Sequence, residues 1–489
     1  MRKGMLFAMV LVALMLAGPV AFADMYPESV SGDVIKIGMT ISLSGKFATE
    51  GQQALCGVKA VIKWYNDQGG VDIGGKKYKL QLVYYNDESS KDNVASLYTK
   101  LITTDKVDFL LAPYSSGLTL AALPVAEQNN KLILSHGGAS DSIVSKGYYY
   151  IVQVLTPASR YLEQAAVLVH DKIPNAKVAL IFENAAFAQA VKKGLKSYLE
   201  KYGVNVVYEA DYEPGTSDFS VYIQSAKQKG ADVLLGGGHY EDGKALVKQA
   251  HDSEWSLKFI AILVAPAQPK FYDELGEGIV NGVAYPSQWS PKANYNPQAA
   301  QQAGLTWAGP TIDDYLNYFH QVCPDLESPA YQSAEAGAAV VYLVEAIKKA
   351  NEMFGADAIK DSAKVREAFN DLKIMTFFGP LWIDPDTGKQ MGHPMLLMQW
   401  QGKNRVIIYP PEYAEASPLI AAPNWQFGGA PATTTTQAPA TTTTQPASPT
   451  KTTTTTTAAK GGMSTGLVAS IVILIIIIVA VAWYAMSKK

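Results

Sequence analysis

Apolar and polar positions alternate in blocks along the chain. "VIKIGMT" (Val34–Thr40) reads as a strand, and a Ser/Gly turn leads from it to a helix from about Gln52 to Asp67. On that helix Leu55, Val58, Ile62 and Tyr65 recur at helical spacing, with Lys59 and Lys63 between them. "YKLQLVYYN" (Tyr78–Asn86) predicts a second strand and Asn93–Ile102 a second helix; "VDFLLAP" then leads into Leu118–Gln128 and "KLILS" into a loop. A similar series begins at "VALIFE" (Val178–Glu183). It continues as helix Ala188–Lys201, strand Val204–Tyr212, helix Phe219–Lys229, strand Val233–Gly236, helix Glu241–His251 and strand Lys258–Leu263. Strands alternating with helices imply right-handed crossovers and a mostly parallel sheet covered on both faces. Two such series predict two similar α/β lobes. From about Asn294 to Lys373 the pattern turns helical, and a last hairpin follows, "PMLLMQW" and "RVIIYP", joined by Gln401-Gly402-Lys403-Asn404.

The two ends follow other rules. Arg2 and Lys3 precede the apolar run Met5–Leu16, and Ala21-Phe22-Ala23 supplies a small-x-small cleavage site, so residues 1–23 read as a secretory signal peptide. Residues 428–462 are dominated by Thr, Ala, Pro and Gln, a composition with too little apolar surface to fold and suited to an extended stalk. Leu467–Met486 carries no charge and is long enough to span a hydrocarbon core of about 30 Å as a helix. Trp483, Tyr484 and the terminal Lys488-Lys489 fit a cytoplasmic border. The expected layout is an exported domain, a stalk, one transmembrane helix and almost nothing inside, which leaves no room for a cytoplasmic signalling domain. Anchoring of this kind fits a cell without an outer membrane, archaeal or Gram-positive.

Composition narrows the chemistry. The net charge of −3 is spread over mixed charges and gives no sign of nucleic acid as a partner. The only cysteines, Cys56 and Cys323, lie far apart in sequence and read more readily as buried thiols than as a pair. There is no GxGxxG after the first strand, no phosphate-loop motif and no GxSxG elbow, and the six histidines show no metal-ligand spacing. No cofactor, metal or catalytic constellation is expected.

Ligands of open parallel sheets bind beyond the carboxyl ends of the strands. Four strand ends share one decoration: "SLSGKFATEG" (Ser42–Gly51), "PYSSGLT" (Pro113–Thr119), "SHGGASDS" (Ser135–Ser142) and "GGGHYED" (Gly236–Asp242). Each places hydroxyls or glycines before an expected helix start, where unpaired N–H groups favour a small anion. Ordinary capping accounts for any one of them; four together point to a cleft.

These stretches, read in order with the helix ending "NDQGGV", resemble the extracellular solute-binding proteins of branched-chain amino acid ABC importers, the Leu/Ile/Val-binding class of type I periplasmic binding proteins. The resemblance covers about Val34–Tyr409. It implies two Rossmann-like lobes joined by three hinge crossings, residues 34–155 and 284–375 forming one and 156–283 and 376–412 the other. It also implies lobe closure over a small ligand and docking on ABC permease subunits in the membrane.

The resemblance places the serine that holds a ligand carboxylate at Ser115, after Tyr114. Its Ala-Thr pair falls on Gly138-Ala139, with Ser140 in reach to replace the missing hydroxyl. Aromatic wall positions fall on Phe187, on His239 beside Tyr240, and on Glu50. The family's ammonium-binding glutamate falls on Leu263 or Val264. Either Glu50, Glu241 or Asp242 takes over that role or the ligand carries no ammonium, because a buried ammonium without a carboxylate is costly. The expected ligand is an amino acid or a related carboxylate or amide. A surface sensor on the same fold is the alternative reading; an adhesin or an extracellular hydrolase finds less support.

Overall fold

The computed structural model describes residues 23–427. Its first sheet contains β1 (Asp24–Tyr26), β2 (Val34–Ile41), β3 (Val71–Ile73), β4 (Lys76–Asn86), β5 (Phe109–Leu111), β6 (Ile133–Ser135) and β7 (Ile151–Gln153). The order is β1-β4-β2-β5-β6-β7, with β3 paired to β4. Pairing is parallel from β4 through β2, β5 and β6 to β7. The second sheet begins with β8 (Lys177–Glu183), β9 (Asn205–Tyr212), β10 (Val233–Gly237), β11 (Phe259–Ile262) and β12 (Val283–Ser287), all parallel. A three-stranded sheet of β13 (Thr306–Trp307), β14 (Ile374–Thr376) and β15 (Gly379–Leu381) intervenes. The expected hairpin, β16 (Leu396–Gln401) and β17 (Asn404–Tyr409), then returns antiparallel to β12. The inner strands β5, β6, β10, β11 and β12 are buried at every residue, as apolar runs between two helical layers must be, and so is the edge strand β7.

The two sheets make two lobes, and the chain passes between them near Thr156, Gln288 and His393. These buried residues are bonded to one another. The Thr156 N–H donates to Oε1 of Gln288 (3.1 Å), and Nε2 of Gln288 donates back to the Thr156 carbonyl (3.2 Å). The Thr156 hydroxyl lies 3.1 Å from Nδ1 of His393 and donates to the His393 carbonyl. One polar knot thus joins the passages.

Helices begin one or two residues to one full turn earlier than apolar spacing indicates: Ala48 rather than Gln52, Ser116 rather than Leu118, Tyr240 rather than Glu241. Their first turns are polar or small, so periodicity does not register them. The stretch Ser135–Ser142 departs from expectation, since only a three-residue 3-10 turn, Asp141–Ile143, follows it. Its backbone groups are satisfied by side chains instead of by a helix.

The long helix Tyr331–Phe354 is buried over most of its length against the helix Ala48–Asp67. The two backbones nearly touch: a Cβ on Gly57 would stand 1.8 Å from the Ser333 carbonyl oxygen. The expectation of free thiols is corrected. Cys56, on Ala48–Asp67, forms a disulfide with Cys323 at the end of helix Ile312–Val322, with Cα atoms 6.0 Å apart. A separation of 267 residues hides this proximity in the sequence. The stalk and transmembrane helix, and all but the last residue of the signal peptide, lie outside the described residues. Among the described residues no helix is long and apolar enough to cross a membrane.

The disulfide closes a very long loop and should stabilise the fold by about 2–5 kcal/mol. Thermal unfolding with and without reductant checks this: Tm should fall on reduction, and the same fall should appear in Cys323→Ser without reductant.

Candidate ligand-binding cleft

The carboxyl ends of the two sheets face each other across the space between the lobes. From the first lobe, β5 delivers Tyr114 and Ser115. Ser115 caps the helix Ser116–Gln128 through its own side chain, which accepts from the Leu118 N–H, and it sits at φ 84°, a left-handed value that a serine holds only under constraint. The next hydroxyl resolves the glycine-rich loop. Ser116 Oγ accepts from the N–H groups of Ala139 (3.1 Å) and Ser140 (2.9 Å), and Ser135 Oγ donates to the Gly138 carbonyl. The glycines permit this close packing: a Cβ on Gly137 would meet the Tyr114 backbone at 2.9 Å, and one on Gly138 would meet the Thr119 hydroxyl at 2.5 Å. The Ser140 side chain is turned to Ser142, 2.9 Å away.

The second lobe contributes Phe187, from the first turn of helix Ala186–Lys201, and His239-Tyr240, at the start of helix Tyr240–Asp252. The His239 ring projects between groups of both lobes. Its centroid lies 4.6 Å from that of Phe47, 5.8 Å from Tyr114 and 5.6 Å from Phe187. Its Nδ1 stands 3.3 Å from the Tyr114 hydroxyl and 4.0 Å from Glu50, and its Nε2 3.7 Å from Glu183. Glu50 is fully buried and accepts from the Tyr240 N–H at 3.1 Å, a hydrogen bond from one lobe to the other. Lys46, half-exposed at the rim, lies 3.8 Å from Glu183. Gln268 donates to Gln332 across the same gap. Beside these contacts opens a cavity of about 530 Å³, lined by Lys46, Phe47, Ser115, Leu118, Phe187 and His239 among others.

Burial dominates the electrostatics. It raises the Glu50 carboxyl from 4.5 to about 8, opposed by N–H donors, with Asp242 raising it further. It raises Glu183 to about 7, again with Asp242 adding to the effect and Lys46 opposing. Burial pushes His239 down to about 3 and His136 to about 4. Asp242, raised chiefly by burial, accepts from the Tyr212 hydroxyl and from the His239 N–H.

Of the nine residues singled out in the sequence, Ser115, Phe187 and His239 line the cavity, Glu50, Tyr114 and Tyr240 make the contacts beside it, and Gly138, Ala139 and Ser140 form the loop held by Ser116 and Ser135. Their hydrogen bonds differ from the expected roles: the amides of Ala139 and Ser140 are already satisfied by Ser116. Glu241, by contrast, pairs with Lys244 and is exposed. Leu263 and Val264 are buried at the end of β11, and Val264 takes a left-handed backbone (φ 51°) rare for a β-branched residue. Sequence reasoning missed Phe47, Lys46 and Glu183, and with them Tyr161, Tyr331 and Glu335, which are buried in electrostatic reach of Tyr114. Phe47 had a signal, since it stands three residues before Glu50 in the same strand-end motif. Glu335 had none, because it sits within a helix otherwise read as core.

Two outcomes test this geometry. Ser116→Ala strands two buried N–H groups and should lower stability by about 1–3 kcal/mol, read as a drop in Tm. The raised carboxyls contribute stability that is complete below about 4.5 and lost as pH rises through about 7 and 8. The lowered histidines contribute stability that is lost only as pH falls below their ordinary 6.5. Between pH 7.5 and 8 the histidines are neutral in both states and the carboxyls dominate, so Tm should fall with rising pH, and Glu50→Gln should flatten that slope.

A family model described as periplasmic binding protein matches residues 34–405. The Leu/Ile/Val-binding protein homolog 7 of Brucella abortus is 24% identical over 391 residues, covering 77% of this chain and 91% of its own. Homolog 1 of the same organism is 26% identical over 261 residues, 53% of this chain; the match spans 66% of the relative's own length. Among solved structures, the branched-chain amino acid transporter substrate-binding protein LivJ of Streptococcus pneumoniae, in complex with isoleucine, aligns with a TM-score of 0.64 at 21% identity, covering 77% of this chain and all of that one. A solute-binding protein of an ABC transporter from R. palustris, in complex with 4-hydroxybenzoate, aligns with a TM-score of 0.63 at 21% identity over 77% of this chain and 95% of that one. Both likenesses speak to the fold. The resemblance read from the sequence holds, and the chain belongs to the periplasmic binding protein family.

Proposed function

We propose that this protein is a membrane-tethered extracellular solute-binding protein that captures a small polar organic molecule by lobe closure and delivers it to an ABC importer. The observation that carries the reading is the cleft itself. Helix starts and aromatic side chains from two lobes converge on one buried space, where the lobes meet through a few polar contacts and through the rings about His239. Such contacts exchange readily for contacts to a ligand, because each net hydrogen bond is worth only about 1 kcal/mol. Lobe 1 is drawn from residues 34–155 and the stretch between Gln288 and His393, and lobe 2 from the stretch between Thr156 and Gln288 and the hairpin after His393; the expected boundaries at 284 and 376 shift because β12 pairs within the second sheet and β15 with β14, and closure turns about the knot of Thr156, Gln288 and His393. The isoleucine and 4-hydroxybenzoate held by similar structures frame the ligand as an amino acid or a related carboxylate or amide.

In this reading the uncharged segment 467–486 anchors the protein at the outer face of the cell membrane, and the Thr/Pro-rich stretch before it gives reach. Tethering keeps the loaded domain at a high effective concentration near the permease.

The full chain, extracted from the membrane fraction with mild detergent and examined by native mass spectrometry, should carry a bound small molecule. Recovery of the chain outside the membrane fraction would defeat the tether. A chain without adduct, and whose Tm no extract of growth medium or cells raises, would defeat capture.

A further inference from the structure

The hairpin that returns to the second lobe carries two cations that the cleft does not use. Lys403, in the turn between β16 and β17, is exposed and has no hydrogen-bond or ion-pair partner among the described residues. Arg405, on β17, is half-buried. Its guanidinium donates to the Ala267 carbonyl (3.0 Å) and, across the lobes, to the Ser328 hydroxyl (2.8 Å). Lys292, from the first lobe, pairs with Glu415 at 3.0 Å. These three cations border a cavity of about 200 Å³ that shares no lining residue with the cleft cavity. No Asp or Glu lines it, although the chain as a whole has a net charge of −3.

The floor of this cavity is apolar and aromatic. Tyr285, Trp289, Tyr331 and Met398 line it, and each is exposed by 4% or less. Its buried hydroxyls are donors that lack acceptors. Ser290, 1% exposed, makes one side-chain hydrogen bond, which it accepts from the Lys292 N–H, so its own proton has no taker. The Tyr285 hydroxyl stands beside the Arg405 guanidinium, a group with no lone pair to offer. Buried donors without acceptors are costly. An anion at the rim satisfies them and meets the three cations through charge-assisted bonds, while an apolar body rests on the rings.

The walls come from both lobes. Tyr285, Met398, Lys403 and Arg405 belong to the second, and Ser290, Lys292 and Tyr331 to the first. Trp289 directly follows Gln288 of the polar knot about which the lobes turn. Tyr331 stands between the two spaces: it lines this cavity and lies in electrostatic reach of Tyr114 and Glu50. We propose that this cavity is a second binding site, that it takes a small organic anion with an aromatic or apolar body, and that its occupancy favours the arrangement in which the two lobes meet. A molecule that touches both walls stabilises the lobe positions that form them. A cleft ligand and this anion then strengthen each other's binding by linkage.

The full chain in lipid nanodiscs is titrated calorimetrically with benzoate, with benzamide as its uncharged counterpart and with inorganic phosphate as an anion without an apolar body. Benzoate should bind at least about 10-fold more tightly than either, and Lys403→Glu and Arg405→Gln should each weaken it about 10-fold. Lys403 lies in an exposed turn, so its variant should keep the wild-type unfolding midpoint. Phe187→Ala, at the cleft, should leave benzoate binding as it is. Hydrogen exchange reads the coupling: benzoate should slow exchange of the Tyr240 amide, which Glu50 holds across the lobes, and should not do so in Lys403→Glu. Benzamide binding as tightly as benzoate, benzoate binding indifferent to Lys403→Glu or lost in Phe187→Ala, or no benzoate binding at millimolar concentration overturns the site. Binding that passes these tests without slower exchange at Tyr240 overturns the coupling to the lobes. Each of these failures leaves the capture reading standing, because none of the residues that line this cavity lines the cleft cavity.

Discussion

Every helix that starts at the cleft leaves backbone N–H groups without intrahelical partners, and the way they are satisfied organises this molecule. Ser115 serves the Leu118 N–H, Ser116 the two amides of the Gly-rich loop, Asp242 the His239 N–H, and Glu50 the Tyr240 N–H. The first three caps stay within a lobe and make its rim rigid. The fourth crosses from one lobe to the other. One physical requirement thereby produces both a preformed surface on each side and a bond that draws the two together.

The energetic character of that crossing bond follows from its burial. A carboxyl removed from water holds its proton more tightly, and Glu50 and Glu183 stand where small changes near neutral pH change their charge. His239, between them, is pushed the opposite way by the same burial. The cleft therefore prefers uncharged forms of its own groups. The polar knot between the lobes avoids this sensitivity: Thr156 and Gln288 are neutral, and His393 is kept from protonation by burial.

The rest of the fold supports those two regions. The tight packing of helix Tyr331–Phe354 on helix Ala48–Asp67 fixes Glu50 at one end and Glu335 within the same packed pair. The disulfide between Cys56 and Cys323 ties helix Ala48–Asp67 to helix Ile312–Val322. Glu183 and His239 stand at the ends of adjacent parallel strands, β8 and β10, so their spacing is set by sheet register rather than by loops. A site built on strand ends and helix starts holds its geometry better than one carried on long loops.

The two lobes were legible in the sequence because parallel strands are continuous apolar runs and crossover helices have an apolar stripe, both local patterns. The hydroxyl and glycine decoration of the strand ends was legible too, since capping chemistry is written within a few residues. What tertiary structure alone decided is pairing at a distance. The bond between Cys56 and Cys323, the recruitment of Ser116 to amides 23 and 24 residues away, and the gathering of Glu50, Glu183 and Phe47 about one ring have no local signature. Spacing along the chain encodes which face of an element is buried. Which buried faces meet is set by how whole sheets and helices pack, and the chemistry of this cleft lies in that meeting.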